Sequence, residues 1–182
     1  MKFLRLIILY IFIFIVILLN GCGDTKETEK LKNSDNYDLS ADQISWDVKV
    51  FFYDSSFTKA ILKADKARIF ANRAETWLNG NVKVNFFSKD SSAKSSVLTS
   101  DSARVDDRTK DMRAMGNVVV ISEKNHTRLE TSVLYWDNKN QKLYSTEFVK
   151  ITAPKEKIQG YGFESDQNLN NYRIFKVSGE QK

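Results

Sequence analysis

The chain has 182 residues and a net charge of +5, with 42% hydrophobic and 12% aromatic residues. That length suits one domain, and the charge lacks the clustered excess of a nucleic-acid binder, so no nucleic-acid partner is expected. One cysteine, one histidine and one proline exclude an internal disulfide, a soft-ligand zinc site and the proline-rich classes.

Lys2 and Arg5 make a small positive start, and an apolar run follows from Leu6 to Leu19. As a helix this run rises about 21 Å, short of the ~30 Å hydrocarbon core, so it suits a secretion signal better than a permanent span. Leu19-Asn20-Gly21-Cys22 resembles a lipobox, which implies cleavage before the cysteine and a diacylglycerol on its thiol. Residues 1–21 then form a signal peptide, and Cys22 anchors the protein to a membrane by its acyl chains. Loss of Lys2 and Arg5 takes the charge from +5 to +3. The alternative is an uncleaved, slightly short transmembrane anchor. Asp24, Lys26, Glu27, Glu29, Lys30 and Lys32 follow, a segment too polar to order itself. Residues 22–40 read as a flexible tether with a reach of roughly 25 Å, ahead of a domain over 41–182.

Beyond Trp46 the apolar period is two. Trp46-Asp47-Val48-Lys49-Val50, Val82-Lys83-Val84-Asn85-Phe86 and Val149-Lys150-Ile151 each alternate as a strand with one buried face does. Asn79-Gly80-Asn81, Asp106-Asp107, Gly116-Asn117 and Asp137-Asn138-Lys139-Asn140 supply turn chemistry between the runs. No long amphipathic helix is expected, so the domain is all-β: a sandwich, a jelly roll or a solenoid-like stack.

The chain also repeats itself. Leu62-Lys63-Ala64-Asp65-Lys66-Ala67-Arg68-Ile69 is echoed by Leu98-Thr99-Ser100-Asp101-Ser102-Ala103-Arg104-Val105. Gly80-Asn81-Val82-Lys83-Val84 is echoed by Gly116-Asn117-Val118-Val119-Val120, again 36 positions later. Looser copies run from Leu129 to Ile151 and from Ile158 to Val177. Each unit is a strand pair that cannot bury its face alone, so the units must stack. Asp65, Asp101 and Asp166 recur with the repeat and are expected at turns or ladder ends, not as an acid–base pair.

Ala64-Asp65-Lys66-Ala67, Gly80-Asn81-Val82-Lys83-Val84 and Ala114-Met115-Gly116-Asn117-Val118 resemble the OstA-like repeat of lipopolysaccharide-transport proteins. Leu134-Tyr135-Trp136-Asp137, Phe148-Val149-Lys150-Ile151 and Gly160-Tyr161-Gly162-Phe163-Glu164-Ser165-Asp166 resemble the LptC-type component of that system, here in a lipoprotein form. The resemblance covers roughly residues 41–179. It implies a half-open antiparallel β-jellyroll with an apolar trough that holds the lipid A acyl chains of lipopolysaccharide. It further implies delivery from the permease subunits of an inner-membrane ABC transporter, and transfer to the next jellyroll of a periplasmic bridge by edge-strand addition. No catalysis and no cofactor are implied. Many members keep a transmembrane helix that packs into the transporter, whereas this chain resembles a cleaved and acylated form. The expected location is the periplasmic face of the inner membrane. The outer membrane stays open, because the position after the cysteine, here Gly23, is read differently between bacterial groups.

The candidate trough residues are Trp46, Val48, Val50 and Phe52; Val82, Val84 and Phe86; Val118 and Val120; Leu134 and Trp136; Val149 and Ile151; Tyr161 and Phe163; Phe175 and Val177. Such residues equally suit a closed core, and a structural or adaptor lipoprotein that binds proteins and no lipid is the alternative reading. Lys49, Arg68, Lys83, Arg104, Arg113 and Lys150 are interleaved with acids and read as a solvated face. His126, in a polar turn with no partner pattern, carries no catalytic or metal reading.

Overall fold

A computed structural model describes residues 40–89 and 93–181. The expected signal peptide, the acyl anchor at Cys22 and the tether up to residue 39 lie outside the described residues. Nine strands follow in chain order: β1 (Gln43–Asp54), β2 (Phe57–Phe70), β3 (Glu75–Phe87), β4 (Lys94–Asp106), β5 (Met112–Ser122), β6 (Arg128–Asp137), β7 (Lys142–Ala153), β8 (Glu156–Asp166) and β9 (Arg173–Gln181). They form one sheet in sequence order, antiparallel throughout and unclosed, with β1 and β9 at its edges. The protein is an all-β, open jellyroll. No helix among the described residues is long and apolar enough to cross a membrane.

The sequence repeat is a strand-pair repeat. Leu62 of β2 lies opposite Val84 of β3, Leu98 of β4 opposite Val120 of β5, and Leu129 of β6 opposite Ile151 of β7. All six side chains are buried, so successive units lay one continuous apolar surface across the sheet.

Part-way along β2 to β8 the pairing register shifts, and the shifts align from strand to strand. β3, β5 and β7 each carry one extra residue, between Asn79 and Val82, Met115 and Val118, and Ser145 and Phe148. In β3 and β5 the bulge is a Gly-Asn step at positive φ: 76° and 46° at Gly80 and Asn81, 77° and 44° at Gly116 and Asn117. These two steps are therefore bulges inside strands, not the turns their composition suggested; left-handed backbone is what a bulge of this kind demands of glycine. Asp65 and Asp101 also sit at the bends, mid-strand. Each carboxylate accepts a 2.8 Å hydrogen bond from the Asn81 or Asn117 side chain. A Cβ on Gly80 or Gly116 would stand 2.4 Å from that carboxylate oxygen. In β7 a hydroxyl does the work instead: Ser145 Oγ donates to Val133 O at 2.7 Å and accepts from Glu147 N at 3.1 Å.

Gly80→Ala is accordingly expected to cost about 1–2 kcal/mol from left-handed backbone alone, and more because the new methyl displaces Asp65. Adding Asp65→Ala should return part of that loss, giving less than the sum of the two changes. Urea midpoints at constant slope measure both.

True turns use aspartate differently. Asp106 accepts from Arg108 N and Thr109 N at 2.8 and 3.0 Å, Asp137 from Asn140 N at 2.8 Å, and Asp166 from Asn168 N at 2.8 Å. These are Asx-type turns at the ends of β4, β6 and β8. The backbone amides of Thr109 and Arg108 hold the Asp106 carboxyl below the usual range, as the amide and side chain of Asn140 do for Asp137.

The aligned bends fold the sheet into two facing halves. Phe86 of β3 meets Trp136 of β6 with ring centroids 5.4 Å apart. The tips of the two halves touch again along a seam. Lys59 Nζ donates to Asn138 Oδ1 at 3.0 Å, Ser96 Oγ to Gln167 O at 2.7 Å, and Asn125 Nδ2 to Leu169 O at 3.1 Å. Leu169 is buried completely and plugs the seam on the β8 side.

Candidate functional site

Toward β1 the seam opens. A narrow slot of about 30 Å³ runs in between the halves, lined by Phe52, Ala60, Leu62, Val84, Phe86, Val105, Met112 and Trp136, with Lys59, Lys110 and Asn138 at its rim. This is far below the ~300–1,000 Å³ usual for ligand pockets, so the slot is a closed mouth rather than a formed lipid site. Lys59 lies 5.5 Å over the Trp136 ring. Burial lowers the Lys59 pKa, with Asp54 opposing that shift. The cleft thus joins a deep apolar wall to a cationic lip, an arrangement suited to a molecule with an apolar tail and an anionic head.

The structure sorts the expected trough residues into four groups. Val82, Val84, Phe86, Val118, Val120, Leu134, Trp136, Val149, Ile151 and Phe163 all face inward and are at most 6% exposed. Val48 and Phe52 pack against that core and stay half-buried. Val50 lies opposite Leu62 and Val177 opposite Gly160. Both therefore belong to the inner face, yet they remain 39% and 53% exposed because β1 and β9 have no outer neighbour.

Trp46, Tyr161 and Phe175 depart from the alternation. Asp47 at φ 52° reverses the side between Trp46 and Val48, and Gly162 at φ 74° does the same between Tyr161 and Phe163. Trp46 pairs with Lys66, and Tyr161 with Phe148 on the outer face, rings 5.3 Å apart. Phe175 is 54% exposed beneath the Arg173 guanidinium, 4.8 Å from its ring centre.

Lys59, Ala60, Leu62, Val105, Lys110, Met112 and Asn138 line the cleft without being among the expected trough residues. Lys110 and Asn138 lie in turns, and Lys59 and Met112 at or near strand starts, whose pairing across the seam has no sequence signal. His126 is exposed at φ 56°. Among the described residues no group of three His, Cys, Asp or Glu side chains is placed to hold a metal.

Comparison with curated proteins gives no match. Among solved structures the chain resembles LptH of Pseudomonas aeruginosa, described as the LptA homologous periplasmic component of the conserved lipopolysaccharide transport device. The TM-score is 0.52 at 13% identity, over 66% of this chain and 84% of that one, a likeness of fold. The family described as lipopolysaccharide-assembly, LptC-related, matches residues 6–178. A match over nearly the whole chain, on an open jellyroll with an apolar inner face, places this protein in the LptC-related family of lipopolysaccharide-assembly proteins.

Proposed function

We propose that the protein is a non-enzymatic relay that accepts lipopolysaccharide from the permease subunits of an inner-membrane ABC transporter and passes it to the next jellyroll of a periplasmic bridge. The observation that carries this reading is the inner face: apolar across nine strands, and open to solvent at β1 and β9 and at the cleft beside Phe52. Each acyl methylene withdrawn from water contributes about 0.8 kcal/mol, so several chains can be held without a strong polar site. Lys59 and Lys110 at the rim suit the anionic head of such a lipid. The free edges of β1 and β9 supply the backbone donors and acceptors for docking a neighbouring jellyroll by strand addition.

Loading requires the roll to open. The inward side chains of the middle strands are close-packed, so acyl chains enter by parting the Lys59–Asn138 side of the seam and separating Phe86 from Trp136. In this proposal Cys22 carries acyl chains that hold the domain at the periplasmic face of the inner membrane after removal of residues 1–21. Retention of the apolar run as a membrane span, or sorting to the outer membrane, would be read directly from the mass and fractionation of the mature protein.

The close packing of the middle strands also favours a second reading, an adaptor lipoprotein with a closed core. Depletion separates the two. The relay reading expects newly made lipopolysaccharide to accumulate in the inner membrane, and undisturbed export would leave only the adaptor.

A further inference from the structure

We infer that the outer face of β1–β3 is a docking surface for anionic phospholipid headgroups, which lays this side of the domain against the membrane that its N-terminus leads to. The inference concerns the face opposite the trough and does not depend on what the trough holds.

The starting observation is an unfavourable one. Lys49 of β1 lies directly opposite Lys63 of β2, and Lys63 directly opposite Lys83 of β3. All three are exposed on the outer face, and like charges in directly opposed positions destabilise a sheet. None of the three forms an ion pair with a carboxylate among the described residues, although four such pairs occur elsewhere in the sheet. They border an open hollow of about 390 Å³ whose other walls include Asp47, Asp65, Val48, Ala64 and Asn81. Three ammonium groups are thus set against two carboxylates, one of which, Asp65, also accepts a 2.8 Å hydrogen bond from Asn81. An anion supplied from outside removes the repulsion.

Exposed aromatic side chains lie beside the lysines. Trp46, Phe51 and Tyr53 are 65%, 42% and 62% exposed. Phe51 and Tyr53 stack with centroids 6.2 Å apart, and the Lys49 ammonium stands 4.7 Å from the Phe51 ring centre. Amphipathic rings next to lysines are the composition that settles at a headgroup layer, where the ring enters the interface and the ammonium meets phosphate. The location in the chain agrees. β1 is the first strand after the polar segment that leads back to Cys22 and the apolar run, so with the membrane attachment proposed above, on which this step rests, β1 is the strand tethered nearest the bilayer.

The test is amine labelling of the full chain reconstituted in vesicles, read lysine by lysine by mass spectrometry. Vesicles of phosphatidylcholine alone are compared with vesicles of phosphatidylcholine and phosphatidylglycerol. In the mixed vesicles, labelling of Lys49, Lys63 and Lys83 should fall several-fold and recover in high salt, while Lys139 in the β6–β7 turn should label equally in both. Lys63→Gln should weaken the protection of Lys49 and Lys83 about fivefold, the share of one lysine at such a surface. Equal labelling of the three lysines in both vesicle types, or protection shared by Lys139, would overturn the inference.

Discussion

Phe163→Ala is expected to remove about 3–5 kcal/mol of stability, the cost of emptying a large, fully enclosed site. Phe163 is completely buried in β8, with Ser145 of β7 opposite it on one side and Ile174 of β9 on the other. Neighbours fixed in adjacent strands cannot collapse into the space, so the penalty lies toward the upper figure. Domains of this kind hold about 5–15 kcal/mol in all, so this one change consumes a large share. Tyr161→Ala, two residues away on the outer face, should stay within about 0.5 kcal/mol plus the loss of its ring contact with Phe148. Urea unfolding of the two variants measures the contrast. Similar losses at both positions would mean that the reversal at Gly162 is not present in solution.

The second large effect is expected at Gly160. A Cβ there would stand 2.1 Å from the carbonyl oxygen of Lys176 and 2.8 Å from Val177 Cα. These are main-chain atoms of β9, and no rotamer change relieves them. Gly160→Ala must therefore push β9 away from β8, at about 1–3 kcal/mol or more for the overpacking. Because β9 has no second neighbour, the loss should concentrate in that strand. Amide exchange of β9 should quicken far more than that of β4 or β5. Gly179→Ala is the control, since its Cβ would meet only the Gln159 side chain, at 3.1 Å. Uniform loosening of all strands by Gly160→Ala would contradict the local account.

The sequence is readable where side chains alternate and where units recur. Val82 to Phe86 and Val149 to Ile151 face inward as their period of two requires, and the paired positions Leu62·Val84 and Leu98·Val120 explain why the chain repeats. The bends were not readable in the same way. Gly80-Asn81 and Gly116-Asn117 have turn composition because a bulge asks the same left-handed backbone of them as a turn does. Asp47 gives no signal at all, yet its positive φ turns Trp46 to the outer face. Asp65 and Asp101 recur because each braces a bulge, while Asp166 ends a strand, so one letter in the repeat has two physical roles. The cleft was the least legible part. Lys59, Lys110 and Asn138 meet only when the two halves of the sheet fold together, and no local pattern encodes that contact.

The central claim is that the inner face of this roll carries lipid and that the opening lies on the β1 side. Photocrosslinking in cells, with a photoreactive side chain placed at one position per variant, tests it most directly. Lipopolysaccharide adducts are expected from Phe52, Val50 and Val177 on the inner face, and few from Trp46 or Tyr161 on the outer one. Equal yields on the two faces, or adducts only on the outer face, would contradict the account and leave a closed core in its place.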